Sequence, residues 1–455
     1  MRIHMIGIGG AGMSGVAEVL HRSGNAVTGS DLKESPYTRR LEEAGITIYI
    51  GHAPSQIGDA EQVVISTAIP STNPELLEAR RRSIPVIPRG AALAGILEGG
   101  RSVAVAGTHG KTTTTSMTAH ALRALGENPT AIVGGELNDI GSNVIVGNSD
   151  LFIAESDESD RSLLYLRPQA AVLTNVEFDH PDFYASFDDV LSTFAAFVGA
   201  LPPDGHLVAC AEDPNCLDLA AHAPCPVTTY GLSAGELRAR VLSPNSYVLI
   251  EDGEERGTVE LGVYGKHNVL NSLAAAGVAR WLGHDSYQAA ASLRSFSGVR
   301  RRFQLKGERG GVCVVDDYAH HPTELSATLE VARDTRVEDG RVIAVFQPHR
   351  YTRTRALYRE FGEALTLADA VLVTDVYGAG EMPQPGVSGK LIVDAICESQ
   401  YSQSGSHGRP DIYYIPGQHD VAGVLREVVE PKDTVLTMGA GDISRVGDEL
   451  LAMLG

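Results

Sequence analysis

The sequence predicts an α/β protein of three units, each built on a mainly parallel sheet. Three observations predict it. Short apolar runs end in glycine or polar turns and are followed by helical stretches, the signature of α/β units. That alternation starts afresh twice. The length, 455 residues, exceeds the roughly 250–300 at which one core stops growing.

The first series opens with the run at 3–8 and continues through 26–31, 63–66 and 86–88. Gly99 and Gly100 then read as a linker. The second series begins at 103–106 and includes 151–154, 171–174 and 207–210, after which 237–261 switches to alternating pieces around Asp252-Gly253 and reads as a small antiparallel insertion. The third follows Gly298, with strands at 312–315, 342–346, 370–374 and 434–438. The expected domains are therefore 1–99, 100–297 and 298–455. Each third-series strand runs into a polar cluster, and ligands of open α/β sheets bind beyond the carboxyl ends of strands.

Composition limits the function. Apolar residues are 43% and charged residues 21%, which is ordinary for globular chains. With 37 basic against 57 acidic side chains the formal charge is -20, so a nucleic acid or an anionic membrane is repelled by the average field. Cys210, Cys216, Cys225, Cys313 and Cys397 are odd in number and scattered, as free thiols in a reducing compartment would be. The opening run reaches Gly7 too soon for a signal peptide, and no apolar stretch is long enough to span a membrane. The expectation is a cytoplasmic protein.

Two glycine loops carry the chemistry. Gly7-Ile8-Gly9-Gly10-Ala11-Gly12 follows a strand and opens a helix, with Asp31 placed to accept from a ribose hydroxyl; this suits a dinucleotide or a nucleotide sugar. Gly107-Thr108-His109-Gly110-Lys111-Thr112-Thr113 repeats that context. Its N–H groups suit phosphate oxygens, Lys111 adds a positive charge, and the Thr112 hydroxyl suits magnesium. It is shorter than a full Walker loop. Glu155, Asn175, Glu177 and His180 lie just past neighbouring strands, where oxygen and imidazole ligands for a divalent ion would be needed.

Five motifs in order resemble the Mur ligases of peptidoglycan synthesis: the short phosphate loop, 154–159, 175–180, 265–271 and Arg301-Arg302-Phe303. The resemblance covers nearly the whole chain. It implies a Rossmann-like UDP-binding domain, a P-loop-type ATPase domain and a Rossmann-like carboxyl-terminal domain. The stretches 316–324 and 346–354 resemble the branch that adds L-alanine to UDP-N-acetylmuramate, rather than its tripeptide-recycling relative. At 192–197 there is no lysine where other members carry a carbamylated one, so none is expected here.

The resemblance also implies roles. ATP converts a carboxylate into an acyl phosphate, with Mg2+ or Mn2+ on Thr112, Glu155 and His180. Gly107 to Thr113, His267, Asn268, Asn271, Arg302 and Asp317 hold ATP. Gly7, Gly9, Gly10, Gly12, Met13, Asp31, Ser66 and His109 hold the UDP-sugar. Tyr318, His320, His349, Arg350 and Arg353 receive the amino acid, with Lys111, Arg302 and His320 catalytic, and His321 an alternative to His320. The chain is expected to act as a monomer or homodimer. Two other classes remain open: a nicotinamide-dependent dehydrogenase using the first loop, and a non-catalytic nucleotide-sugar sensor.

Overall fold

The computed structural model describes residues 1–98, 100–181, 183–399 and 410–455. Gly99, half of the expected linker, lies outside the described residues. The first sheet has five strands, β1 (Arg2–Ile6), β2 (Ala26–Asp31), β3 (Thr47–Ile50), β4 (Gln62–Ile65) and β5 (Val86–Pro88). They pair in parallel in the order β3-β2-β1-β4-β5. The order reverses at β1, so the glycine loop that follows β1 sits at a topological switch point, where such sheets bind ligands.

The second sheet has ten strands: β6 (Arg101–Ala106), β7 (Thr130–Leu137), β8 (Ser142–Ile145), β9 (Leu151–Glu155), β10 (Ala170–Leu173), β11 (His206–Cys210), β12 (Val227–Gly231), β13 (Leu237–Ser243), β14 (Ser246–Glu251) and β15 (Glu254–Glu260). Their order is β15-β14-β13-β12-β11-β10-β6-β9-β7-β8. From β7 to β13 the pairings are parallel. The antiparallel segment expected at 237–261 is present as β13 to β15, and it extends this sheet's edge. Asp252 and Gly253 make its turn with φ of 50° and 91°, the left-handed pair that a tight hairpin requires.

The third sheet comprises β16 (Gln304–Arg309), β17 (Val312–Asp317), β18 (Val342–Phe346), β19 (Ala370–Val373), β20 (Asp411–Tyr414) and β21 (Thr434–Met438), ordered β16-β17-β21-β18-β19-β20. Among the described residues of this sheet, only the β16 pairing is antiparallel. The sequence reading passed over β3, β7, β8, β12, β16 and β20. Edge position explains β16, whose Leu305 faces solvent, and Gly134-Gly135 interrupts the apolar pattern of β7.

Two packing facts position the site. The helix Ala11–Arg22 of the first unit shares one hydrophobic cluster with the second, Met13 and Val16 joining Ile132 and Val144. The third unit buries two clusters of its own, one on each face of its sheet. The first two units are thus welded by apolar contact, while the third keeps its two clusters separate from theirs.

Candidate active site where the three sheets meet

The carboxyl ends of β1, β6, β9, β10 and β17 open onto one cavity of about 650 Å³, lined from the first unit by Gly12, Tyr37 and Arg89, from the second by His109, Lys111, Thr112, Glu155 and His180, and from the third by Arg302, Tyr318 and His320. A smaller cavity of about 250 Å³ adjoins it, lined by Thr113, His267, Asn268, Asn271, Asp317 and Thr323. The two share His109, Gly110, Thr112, Val299, Arg302 and Glu324. A ligand with an apolar ring system and a charged tail therefore finds both environments end to end.

The phosphate loop is held from β10. The His109 N–H donates to Asn175 Oδ1 at 2.8 Å, the Thr108 N–H donates to the Asn175 carbonyl at 2.9 Å, and the Thr174 hydroxyl donates to the His109 carbonyl at 2.7 Å. Gly107 has φ 133°, and a side chain there would collide with Thr174 Oγ1. Gly110, φ 80°, precedes the helix Lys111–Ala124. Lys111 Nζ donates to the Gly107 and Thr108 carbonyls and lies 2.7 Å from Glu158 Oε2. Burial opposes its charge, but Glu158, with Asp157 and Glu155 beside it, outweighs burial and raises its pKa.

Thr112 Oγ1 donates to Glu155 Oε1 at 3.0 Å, and the Gly134 N–H donates to Oε2 at 2.6 Å. Burial pushes the Glu155 carboxyl up. A cation beside it would restore its charge, so Thr112 and Glu155 fit a hard divalent ion. His180, at φ 55°, faces the same cavity with Nε2 3.6 Å from both Glu158 Oε1 and Asp179 Oδ2. Burial opposes protonation of His180, and the two acids outweigh it.

In the smaller cavity, Asn271 Nδ2 donates to Asn268 Oδ1 at 3.1 Å, while Asn271 Oδ1 accepts from Thr114 at 3.0 Å. Burial and Arg302 lower the His267 pKa to about 4. Asp317 accepts from the Phe303 and Ala319 N–H groups, both at 2.7 Å, yet burial still raises it to about 6. Arg302 lies over the Tyr318 ring and 3.3 Å from Glu324.

His320 is oriented by its own turn. Nδ1 lies 2.9 Å from the Tyr318 carbonyl, so that nitrogen carries the proton and Nε2 keeps its lone pair. Burial lowers its pKa to about 4, which leaves it neutral at neutral pH. His321, also lowered to about 4 by burial, makes no hydrogen bond from either ring nitrogen among the described residues.

Other expected residues are placed differently. Asp31 Oδ2 accepts the Gly9 N–H at 2.8 Å, which braces the loop containing Gly7 and Gly10. Met13 is packed in the core, and Ser66 Oγ accepts the Ala68 N–H in the loop after β4. Arg353 does not reach either cavity: it is 2% exposed and forms a two-pronged pair with Asp179, at 2.9 and 3.1 Å. A buried guanidinium needs a buried carboxylate, and this one is supplied from 174 residues away. His349 stacks on Tyr377, and the Arg350 N–H donates to the Tyr377 carbonyl at 2.8 Å. Neither His349 nor Arg350 lines the cavities. Sequence reasoning missed Glu158 and Arg89. Arg89 lies across Gly12, where any side chain would strike its guanidinium, and stands 3.5 Å from Asp157.

Three family models match in succession: "Mur ligase family, catalytic domain" over 2–101, "Mur ligase middle domain" over 105–279 and "Mur ligase, glutamate ligase domain" over 301–441. The UDP-N-acetylmuramate–L-alanine ligase of Rubrobacter xylanophilus is 72% identical over 454 residues, covering 100% of both chains. This chain belongs to the Mur ligase family. The corresponding ligase of Pelotomaculum thermopropionicum is 46% identical over 99% of this chain and 97% of its own. Among solved Mur ligases, the UDP-N-acetylmuramate-alanine ligase of Thermotoga maritima superposes with a TM-score of 0.82 at 30% identity, covering 100% and 99%. A murein peptide ligase of Psychrobacter arcticus gives 0.73 at 25% identity, with the same coverage.

Proposed function

We propose that this Mur ligase joins L-alanine to UDP-N-acetylmuramate, with ATP converted to ADP and phosphate. The identity with alanine ligases over the full length supports the substrates. The geometric observation that carries the reading is the sharing of one phosphate loop by two cavities. ATP in the smaller cavity, its adenine beside His267, Asn268 and Asn271 and its ribose near Asp317, extends its γ-phosphoryl group past Lys111 into the larger one. UDP-N-acetylmuramate enters the larger cavity over Gly12 and Arg89.

An oxygen of the sugar's lactyl carboxylate attacks the γ-phosphorus in line, and ADP leaves. Lys111 exchanges part of its bond to Glu158 for the developing phosphate charge, and Arg302 approaches from the third unit. Magnesium or manganese, held by Thr112, Glu155 and His180, would neutralise phosphate charge. The alanine amine then loses a proton, for which the Nε2 lone pair of neutral His320 is oriented, and attacks the acyl carbon; phosphate departs with the former carboxylate oxygen.

The same reading sets the domain limits near 99 and 297 and places the protein in the cytoplasm, where ATP and the nucleotide sugar meet, as a monomer or homodimer. No helix among the described residues is long and apolar enough to cross a membrane. Phosphate release assayed with each substrate omitted in turn tests the function. It should require ATP, UDP-N-acetylmuramate and L-alanine together; release without the sugar or the amino acid, or tight NAD binding, would overturn it.

A further inference from the structure

We propose that His109, Glu177 and His321 form a binding site for a zinc-class transition-metal ion, and that the ion ties the third unit to the second. This set is separate from Thr112, Glu155 and His180. One ligand atom from each of the three residues lies within 4.8 Å of the others. His109 Nε2 is 3.6 Å and His321 Nδ1 is 3.8 Å from Glu177 Oε2. Ligand atoms about 2.0–2.1 Å from a tetrahedral zinc ion lie roughly 3.4 Å apart, so small side-chain movements complete the site.

Unmet bonding calls for an occupant. His321 is 5% exposed and, among the described residues, neither ring nitrogen makes a hydrogen bond; buried His109 Nε2 makes none either and faces Glu177 Oε2 across 3.6 Å. Native interiors rarely bury an imidazole without satisfying it. The surroundings match those of metal-binding histidines, which are oriented by a carboxylate on the far nitrogen. Glu324 Oε1 lies 3.6 Å from His109 Nδ1, and Thr323 Oγ1 donates to Glu177 Oε2 at 2.7 Å. The Glu177 side chain is 36% exposed, which provides the route of entry and room for a water as fourth ligand.

The donor set selects the metal. Two imidazoles and one carboxylate favour zinc, cobalt(II) or nickel over magnesium and calcium, which take oxygen ligands. His109 belongs to the phosphate loop after β6 and Glu177 follows β10, whereas His321 precedes the third unit's helix Pro322–Thr335. A bound ion therefore bridges the units beside the phosphate loop.

The test is a cobalt(II) titration of the full chain, followed by visible absorption, in excess magnesium to occupy the oxygen-rich set. Metal and proton compete for His109, so mildly alkaline buffer is used. One ion per chain should bind, with the spectrum of a low-coordinate site, and zinc should displace it. Glu177→Gln and His321→Asn, each checked for folding by circular dichroism, should weaken binding by about 100-fold or more, while His180→Asn should not. Should His321→Asn fail to fold, the more exposed Glu177→Gln decides. No cobalt binding by the wild type, equal affinity in Glu177→Gln, or loss confined to His180→Asn would overturn the proposal.

Discussion

After β1 the chain turns through Gly7 to Gly12 into a helix, and after β6 it turns through Gly107 to Gly110 into another, yet the two loops handle charge differently. In the first, Asp31 is committed to the Gly9 N–H, and the cation at the loop, Arg89, arrives from the end of β5. In the second, the cation belongs to the loop itself: Lys111 rests on Glu158, with Glu155 and Thr112 beside it. The first loop is arranged to hold an anion whose charge stays constant. The second has an ammonium whose present carboxylate partner can be exchanged for a phosphoryl group, as a loop that moves charge requires.

The hardest blow to this comparison would be an active Lys111→Ala enzyme. Because the ammonium acts mainly in the transition state, kcat should fall by about 1000-fold or more while the KM for the nucleotide sugar changes little. Steady-state kinetics would show it, and near wild-type turnover would erase the distinction between the loops.

Next in size is the clasp that brings the third unit over the second loop. Arg353→Ala leaves Asp179 buried without its counterion and should cost about 3–5 kcal/mol of stability in denaturant unfolding. Arg89→Ala addresses the first loop alone. It should raise the KM for UDP-N-acetylmuramate by about 10–100-fold with the KM for ATP nearly unchanged. A matching rise for ATP would mean that Arg89 acts through closure of the units.

The smallest effect concerns pH. Burial lowers His267 and His320 to about 4 and His349 to about 3, so the folded state resists protonating them. Their depressed pKa values contribute stability that is present above the ordinary histidine value of 6.5 and is lost as pH falls toward 4 and 3. Thermal melts should show Tm declining through that window, and His267→Asn should make the decline shallower. An unchanged slope would place the acid sensitivity elsewhere.

How much of this was legible beforehand follows from the kind of signal each feature leaves. Strands such as β1, β6, β17 and β18 are built around short, mostly apolar runs, and the glycine loops stand where strand gives way to helix, so both could be read from spacing. The hairpin β7–β8 and the edge strand β16 mix polar and apolar residues and leave no clean period. Ion pairs leave none at all. Lys111 and Glu158 are 47 positions apart, and Arg353 and Asp179 are 174 apart, so only folding reveals that they meet. That is why Arg353 read as a free amino-acid anchor, and why Arg89, isolated between a proline and a glycine, drew no notice.

The acyl phosphate at the second loop is the central claim, and isotope transfer tests it most directly. UDP-N-acetylmuramate carrying heavy oxygen in its lactyl carboxylate is turned over with ATP and L-alanine, and the released phosphate is examined by mass spectrometry or phosphorus NMR. Attack of that carboxylate on the γ-phosphorus predicts one heavy oxygen in each phosphate, with the other retained in the new amide. Phosphate free of label would contradict it, because the carboxylate oxygen would then never have been bonded to phosphorus.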